Sequence, residues 1–251
     1  MIDTHAHLTD ERYDGDREEV VKRAKETGVK KIICILVEFD ERSMQIFNRL
    51  LEHDFIFGAV GIHPHDAKDY EKHKDIFLQL LDLPKIVALG ETGLDYHYLN
   101  SPAQTQKAVF EKQLQIASER NLPVIIHSRE ALDDAFSIIS NSGIKKAVMH
   151  CFSGLEEEAK EYLNLGFYIS FAGPVTFKNA KKPKEVIKII PDDRLLLETD
   201  CPYLAPQVFR GERNEPSYIK YIYEEAANLK NISVDKLAGI VSENVFKLFG
   251  T

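Results

Sequence analysis

Short β-branched runs alternate along the chain with longer amphipathic segments. The strand candidates are Ile2–His7, Lys31–Val37, Ile56–His63, Ile86–Glu91, Val124–His127, Ala147–His150, Phe167–Phe171 and Leu195–Asp200. Each is followed by a stretch long enough for a helix. Strand and helix repeated eight times predict an α/β fold, the (β/α)8 TIM barrel, in a single domain over residues 1–251. The near-continuous apolar character of the runs suits parallel strands covered on both faces.

The intervening segments carry helix signals. Asp16 with Glu19 three residues on predicts a capping box; Val20, Val21 and Ala24 then face inward, and Gly28 ends the helix. Residues 104–120 place Ala108, Val109, Leu114, Ile116 and Ala117 on an apolar face. Gly166 stops a helix over 155–165. Ser233 caps a last helix whose Leu237, Ile240, Val241, Val245 and Leu248 form one stripe. Residues 66–83 give the weakest helical pattern. An open doubly wound sheet is the rival architecture. The barrel is preferred because chemistry-bearing residues stand at the ends of the first and last strands, which meet only in a closed ring.

Composition narrows the class. Apolar residues at 44% and charged residues at 29% describe an ordinary folded protein. The three cysteines Cys34, Cys151 and Cys201 are scattered and odd in number, so no disulfide framework is expected. No apolar run approaches the ~20 residues of a membrane span, and a cytoplasmic location is expected. A net charge of −8 argues against a nucleic-acid coat protein with a broad basic face. It leaves room for an enzyme that grips a phosphodiester locally, because bound metals bring their own charge.

The strand ends supply the candidate chemistry. His5 and His7, two apart on one strand, project from the same face and form half of a divalent-metal clamp. In order along the chain follow His63, Glu91, His127, His150 and Asp200. Of nine histidines, His5, His7, His63, His65, His127 and His150 lie at strand ends, whereas His53, His73 and His97 fall in helix or loop context and read as solvated. Four imidazoles (His5, His7, His127, His150) with two carboxylates (Glu91, Asp200) exceed the ligand need of one catalytic zinc. Two metals sharing a bridging carboxylate use the set economically, and Glu91, central in chain order, is the natural bridge.

These segments resemble the TatD family of metal-dependent deoxyribonucleases, within the wider metal-dependent hydrolase barrels. The resemblance covers the whole chain. It rests on Asp3-Thr4-His5-Ala6-His7, Gly61-Ile62-His63-Pro64-His65, Gly90-Glu91-Thr92-Gly93-Leu94-Asp95, His127-Ser128-Arg129, His150-Cys151-Phe152-Ser153-Gly154, Glu198-Thr199-Asp200-Cys201-Pro202-Tyr203-Leu204-Ala205-Pro206 and residues 210–216. The resemblance implies one metal held by His5, His7, Glu91 and Asp200, and another by Glu91, His127 and His150. It implies DNA hydrolysis, with 3′-to-5′ exonuclease action in members, and a substrate-facing role for His63 near the phosphate. The chain departs from the family at Glu212, often a lysine, and at Gln207-Val208-Phe209, more often proline-rich. Cys201, where serine or alanine is more usual, reads as a small packed residue.

The expected reaction is two-metal hydrolysis of DNA, single-stranded by preference, with Asp200, Glu91 and His63 as the catalytic set. Asp200 serves as ligand and proton acceptor for the attacking water. Histidine with carboxylate ligands suits zinc, manganese, nickel or iron, and magnesium at the carboxylate-rich position. No membrane partner is expected, and the pattern is compatible with a monomer. Around the site, Arg129 faces either a phosphate or solvent. Arg210 and Arg213 either grip the strand or pair with Glu212 and Glu215. Tyr96 and Phe209 are candidate base stackers, Tyr203 is expected to pack on its own barrel, and Asp95 to order its own loop. The nearest enzyme alternative is a barrel hydrolase acting on a small phosphoester, lactone or amide. Several such barrels bridge their metals with a modified lysine on the fourth strand, where this chain offers Glu91. A non-catalytic metal-binding or interaction protein is the alternative of another class, and the presence of Asp200 beside a full ligand set counts against it.

Overall fold

The eight apolar runs form eight parallel strands that pair in chain order. They are β1 (Ile2–Ala6), β2 (Lys31–Leu36), β3 (Ile56–Val60), β4 (Ile86–Asp95), β5 (Val124–Arg129), β6 (Ala147–Met149), β7 (Tyr168–Phe171) and β8 (Leu195–Leu197) in a computed structural model that describes residues 1–251. The ring closes between β1 and the chain just beyond β8. Ala6 bridges Cys201 in parallel, the Asp200 amide donates to the His5 carbonyl at 2.9 Å, and the His7 amide donates to the Cys201 carbonyl at 2.7 Å. Asp3 pins the same seam, its two oxygens accepting from the Thr199 amide at 2.8 Å and hydroxyl at 2.6 Å. Closure brings the first and last strand ends together, as the barrel reading requires.

Helices follow the strands: α1 (Arg17–Glu26), α2 (Glu41–Leu50), α3 (Tyr70–Leu80), α4 (Ala103–Glu119), α5 (Leu132–Ser142), α6 (Glu156–Asn164), α7 (Lys181–Ile189), α8 (Ile219–Lys230) and α9 (Val234–Phe249). Ser233 caps α9 through its hydroxyl, which accepts from the Lys236 amide. The capping box expected at Asp16 does not form. Its carboxylate is drawn instead to two arginines, accepting from Arg213 at 2.7 Å and from Arg23 at 3.2 Å. Charge-assisted bonds of this kind outcompete a neutral amide donor. The segment expected as one helix over 66–83 divides into a 3-10 turn, Pro64–Asp69, and α3.

Strand boundaries depart from the pattern near the chemistry. β3, β6 and β8 end before His63, His150 and Asp200, which stand in the turns just beyond. β4 and β5 run further than expected, because they stay paired through Gly93 opposite His127 and Asp95 opposite Arg129. Gly93 makes this approach possible: its φ is +144°, and a Cβ there would lie 1.9 Å from the His127 carbonyl oxygen.

The buried face of α4 carries two glutamines beside its apolar residues. Gln113 accepts from the Ile62 amide at 2.8 Å and donates to the Ile62 carbonyl at 2.9 Å and the Thr92 hydroxyl at 2.6 Å. Gln106 accepts from the Asp95 amide at 2.8 Å and donates to its carbonyl at 2.9 Å. One helix therefore fastens the segments holding His63, Glu91 and Asp95 with bonds that leave no buried amide unmet. Ala108, expected on that face, is exposed.

Candidate metal centre

The barrel mouth collects His5, His7, His63, Glu91, His127, His150 and Asp200 around the Glu91 carboxylate. His5 on β1 and His7, one residue beyond its end, come to one side, with their Nε2 atoms 3.1 Å apart. Glu91 Oε2 lies 3.4 Å from His5 Nε2 and 3.5 Å from His7 Nε2. Asp200 Oδ1 lies 3.7 and 3.6 Å from the same two nitrogens. The other oxygen, Oε1, lies 2.7 Å from His127 Nδ1, 3.0 Å from His150 Nε2 and 3.6 Å from His63 Nε2. Glu91 thus divides six side chains into two groups, one at each oxygen.

The two groups are built differently behind their facing atoms. His127 turns its second nitrogen to Asp95 Oδ2 at 3.2 Å, and His150 turns its second nitrogen to Glu198 Oε1 at 3.1 Å. A carboxylate behind an imidazole fixes its orientation and raises its basicity as a ligand. His5 has no such support, since its Nδ1 is buried without a partner. Two left-handed backbone positions complete the frame, Cys151 with φ +44° directly after His150 and Asp200 with φ +56°. Such conformations cost of order 1–3 kcal/mol in non-glycine residues and cluster at functional sites.

Electrostatics follow the same division. Burial alone would raise the Glu91 carboxyl, but the charges of His150 and His63 and the hydrogen bonds from His127 and His150 hold it well below its ordinary value. Burial opposes charge on His150, yet Glu91 and Glu198 outweigh it and set that ring well above the usual imidazole range. His127 is raised in the same way, against burial, by Asp95 and Glu91. Burial dominates at His5, which is lowered, and at His63, which is pushed down to about 4. Asp200 stays below its ordinary value because His7 and the neighbouring imidazoles outweigh its burial.

The donor set fits divalent cations. Ligand atoms at 2.0–2.2 Å around a tetrahedral ion stand roughly 3.3–3.6 Å from one another, close to the 3.4–3.7 Å from Glu91 Oε2 and Asp200 Oδ1 to the Nε2 atoms of His5 and His7. Two imidazole nitrogens facing each other at 3.1 Å repel unless a proton or a shared cation lies between them. Imidazole and carboxylate together suit a borderline transition metal.

Sequence reasoning missed part of this arrangement. Glu198 has no role of its own in the sequence reading, where its one signal is an acid ending the apolar run Leu195-Leu196-Leu197; in the structure it is 1% exposed. Asp95 does order its loop, accepting from the His97 and Tyr98 amides at 3.0 Å each. It also supports His127 and His65, the latter at 3.0 Å. Tyr203 rests on its own barrel, with Arg12 over its ring at 4.3 Å and His7 against it at 5.9 Å, while staying 48% exposed. Tyr96 donates to Asp134 at 2.7 Å, and Phe209 stacks on Tyr218 at 4.0 Å. Arg213 pairs with Asp16 at 2.7 Å, and Glu215 pairs with Arg23 at 2.6 Å. Arg210 lies over Phe177 at 4.5 Å. Cys201 is buried, as expected for a small packed residue. His53 and His73 are half-buried, the first paired with Glu18 and the second stacked on Phe39, while the exposed His97 binds Glu130. No helix is long and apolar enough to cross a membrane.

A TIM barrel with histidines and acids converging at the C-terminal ends of its strands defines the class of metal-dependent hydrolase barrels. Residues 2–250 match the family model described as TatD related DNase, and the chain belongs to that family. It is 49% identical over 253 residues to the metal-dependent hydrolase YabD of Bacillus subtilis, covering 99% of this chain and 98% of the relative. It is 34% identical to a protein of Pantoea ananatis named 3′-5′ ssDNA/RNA exonuclease TatD, covering 100% of this chain and 99% of the relative. Among solved structures, the TatD homologue YjjV of Escherichia coli superposes with a TM-score of 0.90 at 31% identity, covering 100% of this chain and 98% of that one.

Proposed function

We propose that the protein hydrolyses phosphodiester bonds in single-stranded DNA from the 3′ end, using two divalent ions bridged by Glu91. The observation that carries this reading is the division of donors at Glu91, one oxygen toward His5 and His7 and the other toward His127 and His150. The relatives named as 3′-5′ exonucleases of single-stranded DNA and RNA support the substrate class. His5, His7, Glu91 and Asp200 would hold one ion, and Glu91, His127 and His150 the other. When bound, such ions would supply positive charge for a phosphoryl group and lower the pKa of a bound water.

The chain's own residues account for the rest. Asp200, ionised below its ordinary value, orients the attacking water and accepts its proton. His63 faces the mouth beside Glu91 and, as a neutral ring, donates a hydrogen bond to a phosphoryl oxygen on which negative charge develops. Asp95 and Glu198 hold His127 and His150 in place. The test is digestion of 5′-labelled and 3′-labelled single-stranded DNA across manganese, magnesium, zinc and nickel, with a chelator control. Stepwise shortening of the 5′-labelled strand and early release of the 3′ label are expected, both abolished by the chelator. Hydrolysis that survives complete chelation contradicts the metal reading, and activity confined to small esters or lactones contradicts the DNA reading.

A further inference from the structure

Arg129 is the exposed cation nearest the centre along the chain, and it has no carboxylate. Arg12, Arg23 and Arg213 are each neutralised, by Asp10, Glu215 and Asp16, whereas Arg129 appears in no salt bridge of this acidic chain. Glu130, the next residue, turns to His97 at 2.8 Å instead. Arg129 stands two residues beyond His127 on β5, so strand alternation puts both on the same side. Its guanidinium lies 4.8 Å over the ring of Tyr98, which is 55% exposed. The Tyr98 ring also meets the His97 ring at 4.8 Å and the His65 ring at 5.4 Å, each near a right angle.

This pair is fastened to the centre through one side chain. Asp95 Oδ2 faces His127 at 3.2 Å, and Asp95 Oδ1 accepts from the Tyr98 amide at 3.0 Å. The backbone adds a second tie, the Tyr96 amide donating to the Arg129 carbonyl at 3.0 Å. An uncompensated guanidinium at the end of β5 and a solvent-facing aromatic ring in the turn after β4 are what a phosphate and its adjoining base require.

We propose that Arg129 and Tyr98 form a substrate-binding subsite in which Arg129 pairs with a phosphate flanking the cleaved bond and Tyr98 stacks on the base next to it. The inference rests on the nucleic-acid reading of the centre. The subsite makes the enzyme prefer an oligonucleotide to a minimal diester, because a minimal diester offers no second phosphate or base.

The experiment compares wild type, Arg129→Ala, Arg129→Lys, Tyr98→Ala and Tyr98→Phe on oligothymidylate and on thymidine 5′-(p-nitrophenyl phosphate), with metal content measured in each sample. For Arg129→Ala and Tyr98→Ala, kcat/KM on the oligonucleotide should fall about tenfold or more, chiefly through KM, and at least several-fold further than on the small diester. Tyr98→Phe should keep most of the oligonucleotide affinity, since the ring and not the hydroxyl stacks. Arg129→Lys should keep part of it, because the charge stays and the fork is lost. The salt dependence of KM should weaken by about one phosphate equivalent in Arg129→Ala. If wild type cleaves the oligonucleotide and both alanine variants lose equally on the two substrates, the subsite is overturned while the nucleic-acid reading stands. If wild type cleaves the diester and leaves the oligonucleotide intact, both are overturned.

Discussion

The two sides of Glu91 offer similar donors on unequal foundations. Toward β5 and β6, His127 and His150 each have a carboxylate behind the ring, Asp95 and Glu198. Toward the seam of β1 and the turn after β8, His5 has none, and its far nitrogen is buried without a partner. A ring oriented in advance gives up less freedom when it binds an ion, and its carboxylate strengthens it as a ligand. On the proposed two-ion reading, the β5–β6 side is therefore the tighter position, and the seam side is the weaker and more exchangeable one. Asp200, the proposed proton acceptor, stands on that weaker side.

The largest effect is expected where the comparison itself is removed. Glu91→Ala takes away the shared ligand, so activity should drop below detection in a turnover assay even with excess metal. Retention of more than about a hundredth of wild-type turnover would mean that the two sides work independently. Next in size is Asp200→Asn, which keeps a weak ligand oxygen but cannot accept a proton. Turnover at saturating metal should fall by about 10²–10⁴, the usual worth of a positioned base. Recovery to near wild-type rate at saturating metal leaves Asp200 as a ligand only.

A smaller loss is expected behind the β5–β6 side. Glu198→Gln removes the charge behind His150 and keeps the shape, so affinity for the tighter ion should weaken about 10- to 100-fold. Isothermal titration with manganese reads this directly, and an unchanged tighter constant would remove the basis of the asymmetry. The Cys151 amide donates to the same Glu198 oxygen at 2.6 Å, a bond that the glutamine carbonyl oxygen can keep.

The smallest effect lies outside the centre, in the ion pairs that tie the loop after β8 to α1. Asp16 sits below its ordinary carboxylate value because the hydrogen bond from Arg213, supplemented by Arg23, outweighs the opposing effect of burial. A carboxyl lowered on folding stabilises the native state above its unfolded value, near pH 4, and loses that contribution as pH falls through the lower folded value. Asp16→Asn should cost on the order of 1 kcal/mol or less near neutrality. Thermal melts should show this gap closing below about pH 4. A gap independent of pH would assign the effect to packing instead of charge.

Much of this frame is written in local pattern. Eight apolar runs and the histidines that end them are visible because a parallel strand needs two apolar faces, and a ligand at its end interrupts them. The limits of the strands are less visible. β4 continues to Asp95 only because Gly93 lets it approach the His127 carbonyl, a contact between distant segments. The same holds for Glu198 and Asp95, whose partners lie 48 and 32 residues away in sequence. Gln106 and Gln113 read as polar interruptions of an apolar helix face, and their purpose emerges only when the strand ends they hold are placed beside them. Asp16 misled for the opposite reason: its capping pattern is local, while Arg213 reaches it from the far end of the chain.

The central claim is that Glu91 joins two metal positions, and metal content per chain tests it most directly. Protein stripped with chelator, reloaded with manganese and desalted should carry close to two ions per chain by elemental analysis. His127→Ala prepared in the same way should keep about one, and Glu91→Ala should keep neither in stoichiometric amount. A Glu91→Ala protein that retains the full wild-type load, or a wild type that saturates at a single ion, contradicts the bridge.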